Sequence, residues 1–227
     1  MRELTPPRGR DAIVALAAMA AAYVLLIGQG LILLNAGISR ALAVGLLPVI
    51  VVVSLVVPTV VLIHYMRGRG LELGLVRLGR RGWHLLWQIP TVVIGSAASS
   101  ALVGPLLGME PGGESAAEKI AADADSVVPV LVLLAGYLLI GPFIEELVFR
   151  RVLLHYFDTL MPGVLSVLLS SAIFGVVHIA PVAMVYTFFC GVGFALVARF
   201  HGGITASFIA HAANNVLASM AVITALF

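Results

Sequence analysis

The segment that decides the fold reads Gly141-Pro142-Phe143-Ile144-Glu145-Glu146-Leu147-Val148-Phe149-Arg150-Arg151. It places two adjacent carboxylates and two arginines inside an otherwise apolar run from Val127 to Phe157. A charged side chain at bilayer depth costs at least about 2–3 kcal/mol, so such residues usually face the protein interior or a wet cavity. The segment therefore predicts a membrane protein with a polar site inside it.

The composition of the whole chain agrees with a membrane location. Its 227 residues are 61% hydrophobic and 11% charged, and the mean hydropathy is +1.13. A soluble domain of this size cannot bury so much apolar surface, which predicts one integral membrane domain over residues 1–227. The net charge of +2 is too small and scattered to indicate a nucleic-acid partner. The single cysteine, Cys190, excludes an internal disulfide or a multi-cysteine metal site.

Seven stretches are candidates for membrane-spanning helices, some of them only marginally long enough. We therefore predict an all-α polytopic bundle of about seven to eight transmembrane helices. The arginine distribution places the N-terminus in the cytoplasm and the acidic loop 108–126 outside, and the arginine-rich, lysine-poor usage indicates the inner membrane of a bacterium. The predicted spans are 12–34, 41–66, 83–107, 127–157, 164–180, 182–199 and 203–225.

The later spans hold a small set of polar side chains that are able to do chemistry. Besides the charged segment, these are His178 near the end of the fifth span and His211, Asn214 and Asn215 in the seventh. At 1.5 Å per helical residue, Glu145, His178 and His211 lie about 12–22 Å from one end of their spans. Side chains from three helices can therefore converge on one cavity.

Helical spacing predicts different partners for the two carboxylates. Glu146 and Arg150 are four residues apart, which is the favourable orientation for an ion pair. The adjacent Glu145 points about 100° away around the helix. We therefore expect Arg150 to neutralise Glu146, while Glu145 stays free to act. His211 and Asn215 are also four residues apart and share a helix face.

These residue types favour hydrolysis of an amide bond without a serine or cysteine nucleophile. A buried carboxylate beside a neutral histidine suits general-base activation of water, and a second histidine with an asparagine supplies donors for an oxyanion. Two alternatives stay open. A zinc-dependent hydrolase is the first, because Glu145, His178 and His211 are suitable zinc ligands. A proton-coupled transporter is the second, with the same groups relaying protons.

Three motifs together resemble the CPBP family of intramembrane proteases. This family includes the type II CAAX prenyl endopeptidases and bacteriocin-processing or self-immunity proteins. Its pattern is Glu-Glu-x-x-x-Arg, then Phe-x-x-x-His, then His-x-x-x-Asn, each on a different transmembrane helix. The resemblance covers residues 127–218, whereas the N-terminal spans, 12–107, match only in hydropathy. The three motifs of this chain run from Glu145 to Arg150, from Phe174 to His178 and from His211 to Asn215.

The resemblance implies an endopeptidase that cuts a membrane-anchored protein or peptide within a CAAX-like or leader-peptide segment. The catalytic helices would lie within residues 127–225. No cofactor is required by this mechanism, although the family is often labelled metalloprotease and a zinc ion stays an alternative. A non-catalytic immunity scaffold is a further alternative. The implied roles are water activation by Glu145 and His178, oxyanion stabilisation by His211 and Asn215, and support of the site by Glu146 and Arg150.

The chain also departs from the family pattern in two places. Arg151 stands where the family often has glycine, and the stretch 200–204 only loosely resembles the usual lead-in to the last motif. We expect Arg151 to be an anchor at the inner membrane face. We expect Asn214 to be a helix-packing residue. Phe174 should pack around the site, and Gly191 and Gly193 should allow close helix approach.

Overall fold

The computed structural model describes residues 5–109 and 127–220, and within these ranges all regular structure is helical. The chain forms seven helices there. The first three are α1 (Gly9–Asn35), α2 (Arg40–Val51, Val52–Val56 and Val57–Gly68) and α3 (Leu85–Leu106), which follows the 3-10 segment Gly79–His84. The fourth, α4, runs through Val127–Ala135, Gly136–Ile140, Gly141–Glu145, Glu146–Leu153 and Leu154–Asp158. The last three are α5 (Gly163–Val176), α6 (Pro181–His201) and α7 (Ile204–Ala218).

Five of these helices are long and apolar enough to cross a membrane. They are Gly9–Leu33, Leu42–Gly68, Gly79–Leu106, Val128–Asp158 and Pro181–His201. The chain is thus an integral membrane protein, and the predicted all-α polytopic bundle is confirmed. By contrast, α5 and α7 have 14 and 15 residues, which is fewer than the roughly 20 that a full span needs.

The predicted fifth span, 164–180, extends too far at its C-terminal end. The helix ends at Val176, and Ile179 has a positive φ of 61°. Pro181 begins α6, and the residue before a proline is disfavoured in helical conformation, so the chain must leave the helix ahead of it. The predicted seventh span, 203–225, ends beyond the described residues. The predicted outer loop, 108–126, also lies outside them, except for residues 108 and 109.

Helix α6 packs closely on α5 and α3 because glycines line its contacts. A Cβ on Gly191 would lie 3.0 Å from Cβ of Ser171, and one on Gly193 would lie 2.7 Å from the methyl groups of Val92. On α5, a Cβ on Gly175 would lie 2.8 Å from the Met184 carbonyl oxygen. The expectation for Gly191 and Gly193 is confirmed. This close packing carries the end of α5 to the polar site.

Helix α4 departs from α-helical geometry around the charged segment. It contains two π-helical segments, Gly136–Ile140 and Glu146–Leu153. Pro142 lacks an N–H and follows the first segment, where it interrupts the regular hydrogen-bond ladder. All residues of the second segment are buried. The charges that the sequence places at bilayer depth therefore lie in the protein interior.

Arg151 is buried, not exposed at the membrane surface as we expected. Its side chain is 0% exposed. Its Nε donates to the Glu72 carbonyl at 2.6 Å, and Nη2 donates to the Thr5 carbonyl at 2.9 Å. Backbone carbonyls thereby replace water around the guanidinium, which makes burial of its charge tolerable. The loop that contains Glu72 also contains Gly74, whose carbonyl accepts a hydrogen bond from the N–H of Ile204 at 2.8 Å. This loop therefore joins α4 to the start of α7.

The close contact between α5 and α6 predicts an asymmetry between two glycine substitutions. Gly175→Ala should destabilise the protein by about 1–3 kcal/mol, because the new methyl group meets backbone that cannot move aside. Gly95→Ala on α3 is the matched control, since nothing lies within 4 Å of its Cβ position. Thermal unfolding in detergent checks this, and equal melting temperatures for both variants would contradict it.

Candidate active site

The imidazole of His211 on α7 lies between the two adjacent carboxylates of α4. Its Nε2 is 3.4 Å from Oε2 of Glu145, and its Nδ1 is 3.1 Å from Oε1 of Glu146. The side chains of His211 and Glu146 are 5% and 0% exposed, whereas that of Glu145 is 12% exposed. Because the two glutamates point in different directions around α4, their carboxylates contact the same imidazole ring from two sides. The sequence spacing did not predict this shared contact.

The contacts of His211 restrict where protons can reside. A carboxylate only accepts hydrogen bonds, so the contact with Glu146 requires a proton on Nδ1. The contact with Glu145 is of another kind, because Nε2 and Oε2 lie 3.4 Å apart as an ion pair and not as a hydrogen bond. The hydrogen bond to Glu146 therefore fixes the ring of His211, and Nε2 faces Glu145.

Arg150 balances the charge of the cluster. Its Nη1 is 3.4 Å from Oε1 of Glu146, and the two side chains are 2% and 0% exposed, so the predicted ion pair is confirmed. Its Nη2 donates to the Gly191 carbonyl at 3.3 Å, and its Cζ lies 4.3 Å from the ring centroid of Phe174. A buried ion pair needs such additional contacts to offset the loss of hydration.

Aromatic rings enclose His211 and connect it to His178. Phe194 stacks on the His211 ring at 4.6 Å, and Phe174 meets it edge-on at 5.7 Å. Phe174 also meets the ring of His178 edge-on, at 4.9 Å. Phe174 is 1% exposed, so its predicted packing role is confirmed. The second and third motifs therefore meet at one phenyl ring.

His178 lies in the turn after α5, not inside the helix as the predicted span implied. Its Nδ1 is 2.8 Å from the carbonyl oxygen of Phe174. A carbonyl accepts, so Nδ1–H donates, and in a neutral ring this leaves the lone pair on Nε2. In residues 5–109 and 127–220, His178 makes no hydrogen bond to Glu145 or Glu146. Its ring is thus oriented by the backbone and keeps one nitrogen available as a base.

A chain of side-chain amides orients Asn215. The Tyr186 hydroxyl donates to Oδ1 of Asn214 at 2.6 Å, and Nδ2 of Asn214 donates to Oδ1 of Asn215 at 3.2 Å. Nδ2 of Asn215 then donates to the Tyr137 carbonyl at 3.0 Å. One N–H of that amide group remains for another acceptor. Asn214 does link helices, as expected, and it also sets the direction of the Asn215 amide.

Tyr23 on α1 is a neighbour of the site that the sequence interpretation missed. Its hydroxyl donates to Oε1 of Glu145 at 3.2 Å. The sequence held one signal, since Tyr23 is a lone phenol in the alanine-rich stretch of the first span. Nothing in the spacing along the chain connects it to Glu145, which lies 122 residues away.

A zinc site of the kind that the alternative requires has at least three protein ligands around one point. Among the residues that the structure describes, no group of three or more His, Cys, Asp and Glu side chains is placed to hold a metal ion. Nδ1 of His178 donates to the Phe174 carbonyl, so Nε2 is the nitrogen of this ring that a metal would bind.

The buried ion pair predicts a specific pattern of stability. Arg150→Met should destabilise the protein by about 3–5 kcal/mol, because it leaves Glu146 without its compensating cation. The double variant Glu146→Gln/Arg150→Met should be less destabilised than Arg150→Met alone, since no charge is then stranded.

Thermal unfolding in detergent measures both, with Arg77→Met as the control. Arg77 is exposed, and its replacement should change stability by no more than about 0.5 kcal/mol. A double variant that is less stable than Arg150→Met would argue against a stranded charge as the cause.

Comparison with known proteins supports the interpretation of the three motifs. Residues 127–217 match the family model described as type II CAAX prenyl endopeptidase Rce1-like. No curated protein and no solved structure matches the chain. The matched range includes Glu145, His178, His211 and Asn215. It begins after α3, so α1, α2 and α3 lie outside it. The recognition made from the motifs is confirmed over residues 127–217: this part of the chain carries the pattern of the Rce1-like type II CAAX prenyl endopeptidases, a family of intramembrane proteases.

Proposed function

We propose that this protein is an intramembrane endopeptidase that hydrolyses a peptide bond of a membrane-tethered substrate with activated water. The observation that carries the proposal is that His211 contacts both Glu145 and Glu146. These residues belong to two of the family motifs, on α7 and α4. Glu145 is the most accessible member of this cluster, at 12% against 0–5% for its partners. A water molecule can therefore reach Glu145 more readily than Glu146, which is paired with Arg150.

The contacts of the site residues and the family motifs together support a role for each residue. Glu145, assisted by Nε2 of His178, accepts a proton from water, and the hydroxide attacks the carbonyl carbon of the substrate. The carbonyl oxygen becomes an oxyanion, which accepts hydrogen bonds from Nε2–H of His211 and from the remaining N–H of Asn215. The proton held at the carboxyl group passes to the amide nitrogen as the carbon–nitrogen bond breaks. Glu146 and Arg150 keep His211 protonated at Nδ1 and in place.

The family match over residues 127–217 and the membrane setting support a substrate class. A CAAX-like C-terminal segment or a leader peptide, tethered to the bilayer, is the proposed substrate. We further propose that the N-terminus lies in the cytoplasm, as the arginine distribution favours, and that the protein resides in a bacterial inner membrane. Cleavage would then occur near the cytoplasmic side.

Removal of either base should abolish turnover. In a cleavage assay with a quenched prenyl-CAAX or lipidated leader peptide and purified protein, Glu145→Ala and His178→Ala should each lower kcat/KM at least about 100-fold. His64→Ala is the histidine control, because His64 is exposed on α2 and outside the cluster.

A strong chelator should leave cleavage largely unchanged if water activation rests on Glu145 and His178. Activity that the chelator removes and zinc restores would favour the zinc-dependent hydrolase instead. Undiminished cleavage in both variants would refute the proposed roles. Substrate flux without cleavage would favour the transporter, and function that survives all site variants would favour the scaffold.

Asn215 should act on the chemical step more than on binding. Asn215→Ala is expected to lower kcat about 100-fold with little change in KM, as removal of an oxyanion donor does in other hydrolases. Asn214→Ala should have a smaller effect, because Asn214 acts only through the orientation of Asn215. Steady-state kinetics of both variants measures the difference. A larger loss in Asn214→Ala would show that the two roles are wrongly assigned.

A further inference from the structure

Helix α1 contributes a side chain to the candidate active site although it lies outside the family match. The Tyr23 hydroxyl donates to Oε1 of Glu145 at 3.2 Å, while Oε2 of the same carboxylate faces Nε2 of His211 at 3.4 Å. Of these two neighbours, Tyr23 makes a hydrogen bond to Glu145, whereas His211 lies at ion-pair distance. A hydrogen bond to one oxygen restricts the rotation of a carboxylate.

Small residues on α1 make this reach possible. Ala12, Ala15, Met19 and Ala22 recur every three or four residues, so they form one helix face, and all are at most 5% exposed. They belong to one buried cluster with residues of the π-helical segment of α4, including Leu147 and Val148. Alanine side chains let two helices approach closely. Tyr23 directly follows Ala22 and comes close to Glu145 for this reason.

We propose that Tyr23 is a positioning residue, whose hydroxyl holds the Glu145 carboxylate aimed for proton abstraction; this rests on the proposed function. Arg150 forms an ion pair with Glu146, and Nδ1 of His211 also contacts Glu146. The hydrogen bond to Glu145 comes from Tyr23. Without this donor, the carboxylate is free to rotate away from the water that it must deprotonate.

The kinetic test is Tyr23→Phe, which removes one oxygen and keeps the ring. We expect kcat to fall about tenfold, as loss of a hydrogen bond to a charged group does. KM should change little, because Tyr23 contacts Glu145 and not the substrate.

Tyr65→Phe is the matched control. Tyr65 on α2 also donates to a buried carboxylate, that of Asp11 at 2.7 Å. This contact lies outside the candidate active site. This variant should keep the wild-type kcat and KM. If Tyr23→Phe also keeps both, or if it raises KM while kcat stays unchanged, the positioning role is overturned.

A second measurement separates this inference from the proposed function. A hydrophobic carbodiimide reacts with carboxyl groups, so its rate of modification of Glu145 in native membranes, located by peptide mass spectrometry, reports on that side chain without any assay of cleavage. Loss of the label in Glu145→Gln identifies the modified residue. Removal of the Tyr23 hydroxyl frees one oxygen of Glu145, so we expect Tyr23→Phe to be labelled faster than wild type at one fixed pH, and Tyr65→Phe to match wild type. An unchanged labelling rate in Tyr23→Phe overturns the inference. Faster labelling in a protein that cleaves no peptide refutes the peptidase and still supports the role of Tyr23.

Discussion

The structure depends on charge neutralisation in an apolar interior. Glu145 and Glu146 place two carboxylates side by side, and Arg150 and His211 lie in direct contact with them. An unpaired charge in such surroundings costs several kcal/mol, while a paired, well-contacted cluster is tolerated. The requirement to keep these four groups together determines how α4 and α7 must pack.

The helices around the cluster are adapted to bring it together. Alanines on α1, together with Gly191 on α6, allow neighbouring helices to approach closely. The π-helical segment that begins at Glu146 turns a run of charged and apolar residues wholly inward, and such segments are frequent at functional sites. Arg151 ties α4 to the loop that also binds the start of α7. The departure from the family's glycine at this position therefore has a structural counterpart.

Much of this arrangement was predictable from local pattern. Apolar length predicted the helices, because a span must satisfy its own backbone in lipid, and a spacing of four predicted the pair of Glu146 and Arg150. The end of α5 was missed because the hydropathy continues through His178 while Pro181 stops the helix. The burial of Arg151 was missed because its partners are two carbonyl oxygens and the Glu72 carboxylate. They lie far away in the chain, so no local pattern marks them. Tyr23 was missed because its partner lies on a distant helix.

The sequence by itself determined the membrane location, the helical class and the chemical types available, since these follow from apolar length and from which side chains interrupt it. The tertiary structure alone decided that one imidazole bridges two carboxylates, that α1 supplies a donor to Glu145, and that His178 directs one nitrogen to its own backbone. The physical reason is distance. Hydrogen bonds and ion pairs act over about 3–4 Å, and only the packing of helices far apart in the chain sets separations on that scale.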